Sequence, residues 1–159
     1  SQGNWYCAVD QPHLQELYLD LYDNVLVTDD GLNALSDSLQ ELSQLKSLFV
    51  DTSGYIFKHK DELLTEDGLE LLFGSIACFN AKALTLNVAK YLQQLTKQDN
   101  LGGGSFFRLA EQLQKFSQLE ELGLRISGLF KCSVDPIVKV LESVRLQTSL
   151  KQLRLNLAE

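Results

Sequence analysis

Histidine and cysteine are scarce in this 159-residue chain, with two and three respectively, and methionine is absent. His13 and His59 lie far apart in sequence, and Cys7, Cys78 and Cys132 are scattered. No C-x-x-C or comparable spacing exists, so a zinc site is not expected and no metal or other cofactor is implied. An odd number of dispersed cysteines also argues against a disulfide framework. It fits free thiols in a reducing compartment, and a cytoplasmic location is expected. Positive charge is short as well. The net charge of −7 argues against general nucleic-acid binding, which needs a surplus of Lys and Arg. No apolar run approaches the roughly 18 to 20 residues of a membrane span. No basic-then-apolar leader opens the chain, so no secretory signal is expected. A start at Ser1 without methionine reads as a processed or trimmed piece.

What remains is an ordinary globular mix, 45% hydrophobic and 22% charged. A chain of this length buries most of its apolar surface without a staple. Its charge is unevenly spread. Residues 1–79 hold 14 acids and 3 bases, while residues 80–159 hold 7 acids and 11 bases. The halves therefore carry −11 and +4. Such a field orients an approaching partner; the blander reading is a solvated acidic half.

Internal repetition is the main signal. Leu14, Leu17, Leu19 and Leu21 are spaced L-x-x-L-x-L-x-L. The spacing returns at Leu45, Leu48, Val50 and Thr52, at Ala81, Leu84, Leu86 and Val88, and at Leu119, Leu122, Leu124 and Ile126. It closes at Leu150, Leu153, Leu155 and Leu157. Alternation by two predicts strands with one buried face. Between them run Leu32, Leu35, Leu39, Leu42; Leu69, Leu72, Ile76, Phe79; Phe106, Leu109, Leu113, Phe116; and Ile137, Val140, Val144, Gln147. Steps of three, four and three place each set on one stripe of a helix. Gly31, Gly68, Ser105 and Pro136 precede the stripes and read as helix starts, with Asp30, Asp67 and Asp135 nearby to suit the positive end of the helix dipole.

Each unit is thus strand, loop, helix, short turn. One unit cannot bury its own stripe, so units must stack. The L-x-x-L-x-L runs at 14–19 and 119–124, each followed by an amphipathic helix, resemble leucine-rich repeats of the ribonuclease-inhibitor-like type. That resemblance implies an α/β solenoid, a horseshoe segment with parallel strands on the concave face and helices on the convex face. The repeats fall near 14–44, 45–80, 81–118 and 119–149, with a partial one at 150–159. Residues 1–12 are a cap or the remnant of a preceding repeat. The family carries Asn or Cys where this chain has Tyr22, Ser53, Ala89 and Ser127, so no regular asparagine ladder is expected. Units two and three are lengthened by the stretches 54–67 and 89–104, which read either as inert insertions or as a ridge on one rim.

No catalytic constellation is present, and the chain is not expected to be an enzyme. Leu101-Gly102-Gly103-Gly104-Ser105 precedes a helix, where phosphate loops occur, but lacks the Lys-Ser/Thr of a P-loop. Adjacent Glu120 and Glu121 point to opposite faces of a strand.

The candidate site is the outward strand face. One row reads Tyr18, Phe49, Thr85, Gly123, Arg154, and the next Asp20, Asp51, Asn87, Arg125, Asn156. A third reads Glu16, Ser47, Ala83, Glu121, Gln152. Tyr18 and Phe49, with Tyr22 beside them and Asp20 and Asp51 flanking, form an aromatic pair rimmed by acids. Such a patch suits a basic side chain or helix of a protein partner. The partner-binding set is Glu16, Tyr18, Asp20, Tyr22, Phe49, Asp51, Arg125 and Arg154. The blander reading buries Phe49 under its own loop. The expected function is a non-catalytic protein-binding or scaffold module, with no nucleic acid and no membrane. The alternatives are an enzyme regulator, nuclease-inhibitor-like or GTPase-activating-like, and a structural subunit of a large assembly.

Overall fold

The computed structural model describes residues 13–21, 28–52, 65–89, 103–126 and 134–157. Strands and helices alternate: β1 (Glu16–Asp20), α1 (Asp29–Glu41), β2 (Ser47–Asp51), α2 (Glu66–Ser75), β3 (Ala83–Asn87), α3 (Gly104–Leu113), β4 (Glu121–Arg125), α4 (Val134–Arg145) and β5 (Gln152–Asn156). The strands form one parallel sheet in sequential order β1-β2-β3-β4-β5. Every crossover therefore runs in the same direction. With the usual right-handed connection, all four helices fall on one face of the sheet. The other face carries no described helix.

The register is in step with the repeats: Leu17, Leu48, Leu84, Leu122 and Leu153 pair side by side, as do Leu19, Val50, Leu86, Leu124 and Leu155. All of these but Leu153 belong to or pack against the core, with Leu32, Leu39, Leu69, Leu72, Phe73, Phe106, Leu109, Leu113 and Val140. Burial is deepest over β2 to β4, where Leu48, Val50, Leu84 and Leu86 are at most 1% exposed. At β5 it fades, and Leu153 is 45% exposed.

Repetition extends to the backbone. The carbonyl oxygens of Gln15, Lys46, Lys82 and Glu120 each accept two N–H bonds from the start of the next strand. At the far end, Leu21, Thr52, Val88 and Ile126 each donate their N–H one strand onward, to Asp51, Asn87, Arg125 and Asn156. The fourth apolar position of the repeat thus prolongs the ladder. Polar Thr52 is tolerated there, 1% exposed, because its hydroxyl donates to the Asn87 carbonyl at 3.1 Å.

Helix starts differ from the sequence expectation. Thr28 and Thr65 are the N-caps of α1 and α2, so Gly31 and Gly68 lie one turn inside. The Thr28 hydroxyl oxygen accepts the Gly31 N–H at 3.1 Å. The Thr65 hydroxyl oxygen accepts the Asp67 N–H at 3.2 Å. Ending each helix stripe, Phe79 and Phe116 lie past the ends of α2 and α3, yet both are buried, in turns closed by i to i−3 bonds such as Phe116 to Leu113.

The expected horseshoe solenoid is corrected here. The described residues make a five-stranded parallel α/β sheet with four helices. Alternation by two reports which side of a strand is buried and which neighbour it pairs with. Curvature depends on spacing in the helical layer and on the turns after the strands, which that pattern does not encode. The 1–12 segment, Tyr22 and most of the long stretches 54–67 and 89–104 lie outside the described residues.

Candidate functional site on the open sheet face

Three features build the site: an aromatic stack, a pair of arginines, and a trough between them. Tyr18 on β1 and Phe49 on β2 are register partners. Their rings are stacked, with centroids 4.2 Å apart and planes 8° apart. Tyr18 is 66% exposed although it touches an aromatic neighbour, and Phe49 is half-buried. Glu16 and Asp20 flank Tyr18 on the same strand, both exposed, and Asp20 pairs in register with half-buried Asp51.

Asn87 stands between Asp51 and Arg125 in its row. Its amide donates to Asp51 Oδ2 at 2.9 Å and its Oδ1 accepts the Ala89 N–H at 3.5 Å. Only 7% exposed, Asn87 is fixed by these bonds and separates Asp51 from Arg125 by two strands, about 9.6 Å. Glu16 and Asp20 therefore stand away from the arginines, and only Asp51 shares a trough with them, across Asn87. Arg154 pairs in register with Gly123 and donates from Nη2 to Gln152 Oε1 at 3.2 Å. It lies three strands from Phe49, about 14 Å across the sheet. The residues read from the sequence thus share one face but divide into two ends.

Between the ends, the short residues Thr85 and Gly123 make a floor. The trough above them has a volume of about 330 Å³ and is lined by Phe49, Asp51, Asn87, Arg125, Arg154 and Asn156. The close approach of the Thr85 side chain favours glycine at 123. A Cβ there would meet Thr85 Oγ1 at 2.9 Å and Cγ2 at 3.1 Å. Thr85, Asn87 and Gly123 are absent from the sequence-derived set. The drop from Phe49 to Thr85 to Gly123 along one row is the signal that would have found Thr85 and Gly123.

The helix side carries carboxylate chemistry of a structural kind. Asp29 accepts from the Thr65 N–H at 3.1 Å and from its hydroxyl at 2.6 Å. Glu66, the first residue of α2, accepts from Gly103 N–H at 3.2 Å and from both Ser105 N–H and hydroxyl at 2.9 Å. Each carboxylate thus fastens the start of the next helix. At the start of α3 the N–H donors of Gly103 and Ser105 are taken by Glu66, where a phosphate loop would hold a phosphate. Gly103 caps this helix with φ 92°, a left-handed conformation that favours glycine.

At the sheet edge, Glu120 pairs with Lys151 at 2.8 Å. The hydrogen bond and charge of Lys151 hold the Glu120 carboxyl below its usual range. The contribution of this pair is present above the usual carboxylate range and is lost as pH falls below it toward the lowered value; solvent around both groups keeps it small. Cys78 is free and exposed, while Cys7, Cys132 and His59 lie outside the described residues. Among the described residues, no group of three His, Cys, Asp or Glu side chains is placed to hold a metal ion. No described helix is long and apolar enough to cross a membrane.

No protein-family model matches the chain, and no curated protein matches it. Solved structures do. One is leiomodin-1 actin-binding site 2, similar over 94% of this chain and 73% of its own, with TM-score 0.52 and 10% identity. Another is the tropomodulin C-terminal domain of Caenorhabditis elegans, similar over 87% of this chain and 89% of its own, with TM-score 0.44 and 14% identity. At such identity the first likeness shows the fold alone. It also corrects the resemblance drawn from the sequence. The matching fold is that of leiomodin-1 actin-binding site 2, and the assignment to ribonuclease-inhibitor-like leucine-rich repeats does not stand. The L-x-x-L-x-L spacing on which that assignment rested describes a buried strand face next to a helix, a requirement shared by any stacked parallel βα units.

Proposed function

We propose that this chain is a non-catalytic protein-binding module whose partner docks on the open sheet face. The observation that carries the reading is the Tyr18–Phe49 stack, an aromatic surface held against solvent on a rigid sheet. Aromatic side chains on a sheet lose little entropy on docking and bury much area, which makes them the usual anchors of an interface. Glu16, Asp20 and Asp51 rim the stack and suit a basic group on the partner; Arg125 and Arg154 serve the other end of the contact. The fold shared with leiomodin-1 actin-binding site 2 makes actin the first purified partner to try. Exposed, free Cys78 is compatible with work in a reducing, cytoplasmic setting.

The test compares the chain with a Tyr18→Ala, Phe49→Ala double variant against a purified partner, actin first. The variant should keep its far-ultraviolet circular dichroism and lose only the stack, about 0.5 to 1.5 kcal/mol. Its affinity should fall at least about tenfold. Equal affinity of the two proteins for one partner would remove the contact from this face.

A further inference from the structure

We propose that the trough on the open face receives a carboxylate side chain from the partner, with a bulky apolar side chain of the same segment resting on Phe49. This rests on the open face being the docking surface and adds the chemistry of what docks.

Arg125 on β4 and Arg154 on β5 are diagonal neighbours, since Arg154 lies two residues before Asn156, the register partner of Arg125. Diagonal positions on neighbouring strands are about 7 to 8 Å apart, within reach of two long side chains. Both arginines are exposed and both line the trough. Among the described residues neither takes part in an ion pair. Asp51, the carboxylate lining the same trough, is held by Asn87 at 2.9 Å. Glu121, the outward acid on β4, pairs in register with Gln152, and Arg154 bonds the Gln152 amide instead of it.

Both guanidinium groups line the one trough and carry like charge, which an anion between them would offset. Arginine is the cation whose donors match a carboxylate two at a time. Phe49 forms the apolar wall, and the missing side chain at Gly123 leaves depth for an incoming group. The acid-rimmed stack and the arginine end together select a segment of mixed charge, its carboxylate over β4–β5 and its basic group over β1–β2.

The test is an amide proton–nitrogen NMR titration with acetyl-Phe-Ala-Ala-Ala-Glu-amide, its Gln analogue, its Lys analogue and inorganic phosphate. In an extended segment the first and fifth side chains lie on one side, about 13.6 Å apart. The Glu peptide should move the Gly123, Arg125 and Arg154 amides and bind at least about fivefold tighter than the Gln peptide. An Arg125→Gln, Arg154→Gln variant should bind the Glu and Gln peptides alike. A Phe49→Ala variant should weaken both and keep the preference. Equal response to Glu and Gln, preference for Lys, a stronger response to phosphate, or no response by about 10 mM would overturn the proposal. If the preference is absent while partner binding still depends on Tyr18 and Phe49, the carboxylate assignment fails and the docking face stands.

Discussion

Replacing Phe73 by alanine is expected to remove about 4 kcal/mol of stability, the usual cost of deleting a fully enclosed aromatic ring. Phe73 is 0% exposed, among the largest fully buried side chains, and its ring meets that of Phe106 at a centroid distance of 6.2 Å. It lies on α2 and Phe106 on α3, so the cavity opens between adjacent units in the middle of the helical layer. At about 2 to 4 °C per kcal/mol for a chain of this size, the melting temperature should fall by roughly 8 to 16 °C. Leu71 lies on the same helix but is 44% exposed. Leu71→Ala should therefore cost well under half as much. Thermal unfolding followed by circular dichroism checks both. Similar losses for the two variants would mean that α2 is turned the wrong way.

Glu66→Ala is expected to cost about 3 kcal/mol, an unusual loss for a residue that is only half-buried. One carboxylate accepts three hydrogen bonds from Gly103 and Ser105. Ser105 is 0% exposed, so truncating its partner strands an N–H and a hydroxyl away from water. The positive end of α3 loses its nearest negative charge at the same time. Glu66→Gln keeps one acceptor oxygen and should cost clearly less. The neighbouring exposed Glu70 is the control, and Glu70→Ala should scarcely shift the unfolding midpoint. A Glu66→Ala loss no larger than that of Glu70→Ala would show that the carboxylate does not fasten α3.

Much of this architecture is legible in the sequence because burial has a period. Leu17 and Leu19 alternate, Leu48 and Val50 repeat them, and the register partners follow. The rows on the outward face come from the same count, so the placing of Tyr18 beside Phe49 is legible in residue spacing alone. Helix starts are less legible. Thr28 and Thr65 cap through side-chain geometry, and both sit three residues before the glycines that looked like starts. The Asp29–Thr65 and Glu66–Ser105 contacts join residues 36 and 39 positions apart, and no local pattern encodes them. The trough was hidden for another reason. It is made by what Thr85 and Gly123 lack, and a search for chemistry-bearing side chains passes over small ones. Family identity was over-read, because L-x-x-L-x-L records a physical requirement that unrelated lineages meet alike.

The surface proposed to meet a protein partner is the open sheet face, not the helical face. Site-specific photo-crosslinking distinguishes the two. A benzophenone side chain is placed at Tyr18 on the open face in one protein and at exposed Leu141 on α4 in another. Each is irradiated with the purified partner. An adduct from position 18 and none from position 141 is the expected result. An adduct from position 141 alone would put the partner on the helices and overturn docking on the open face.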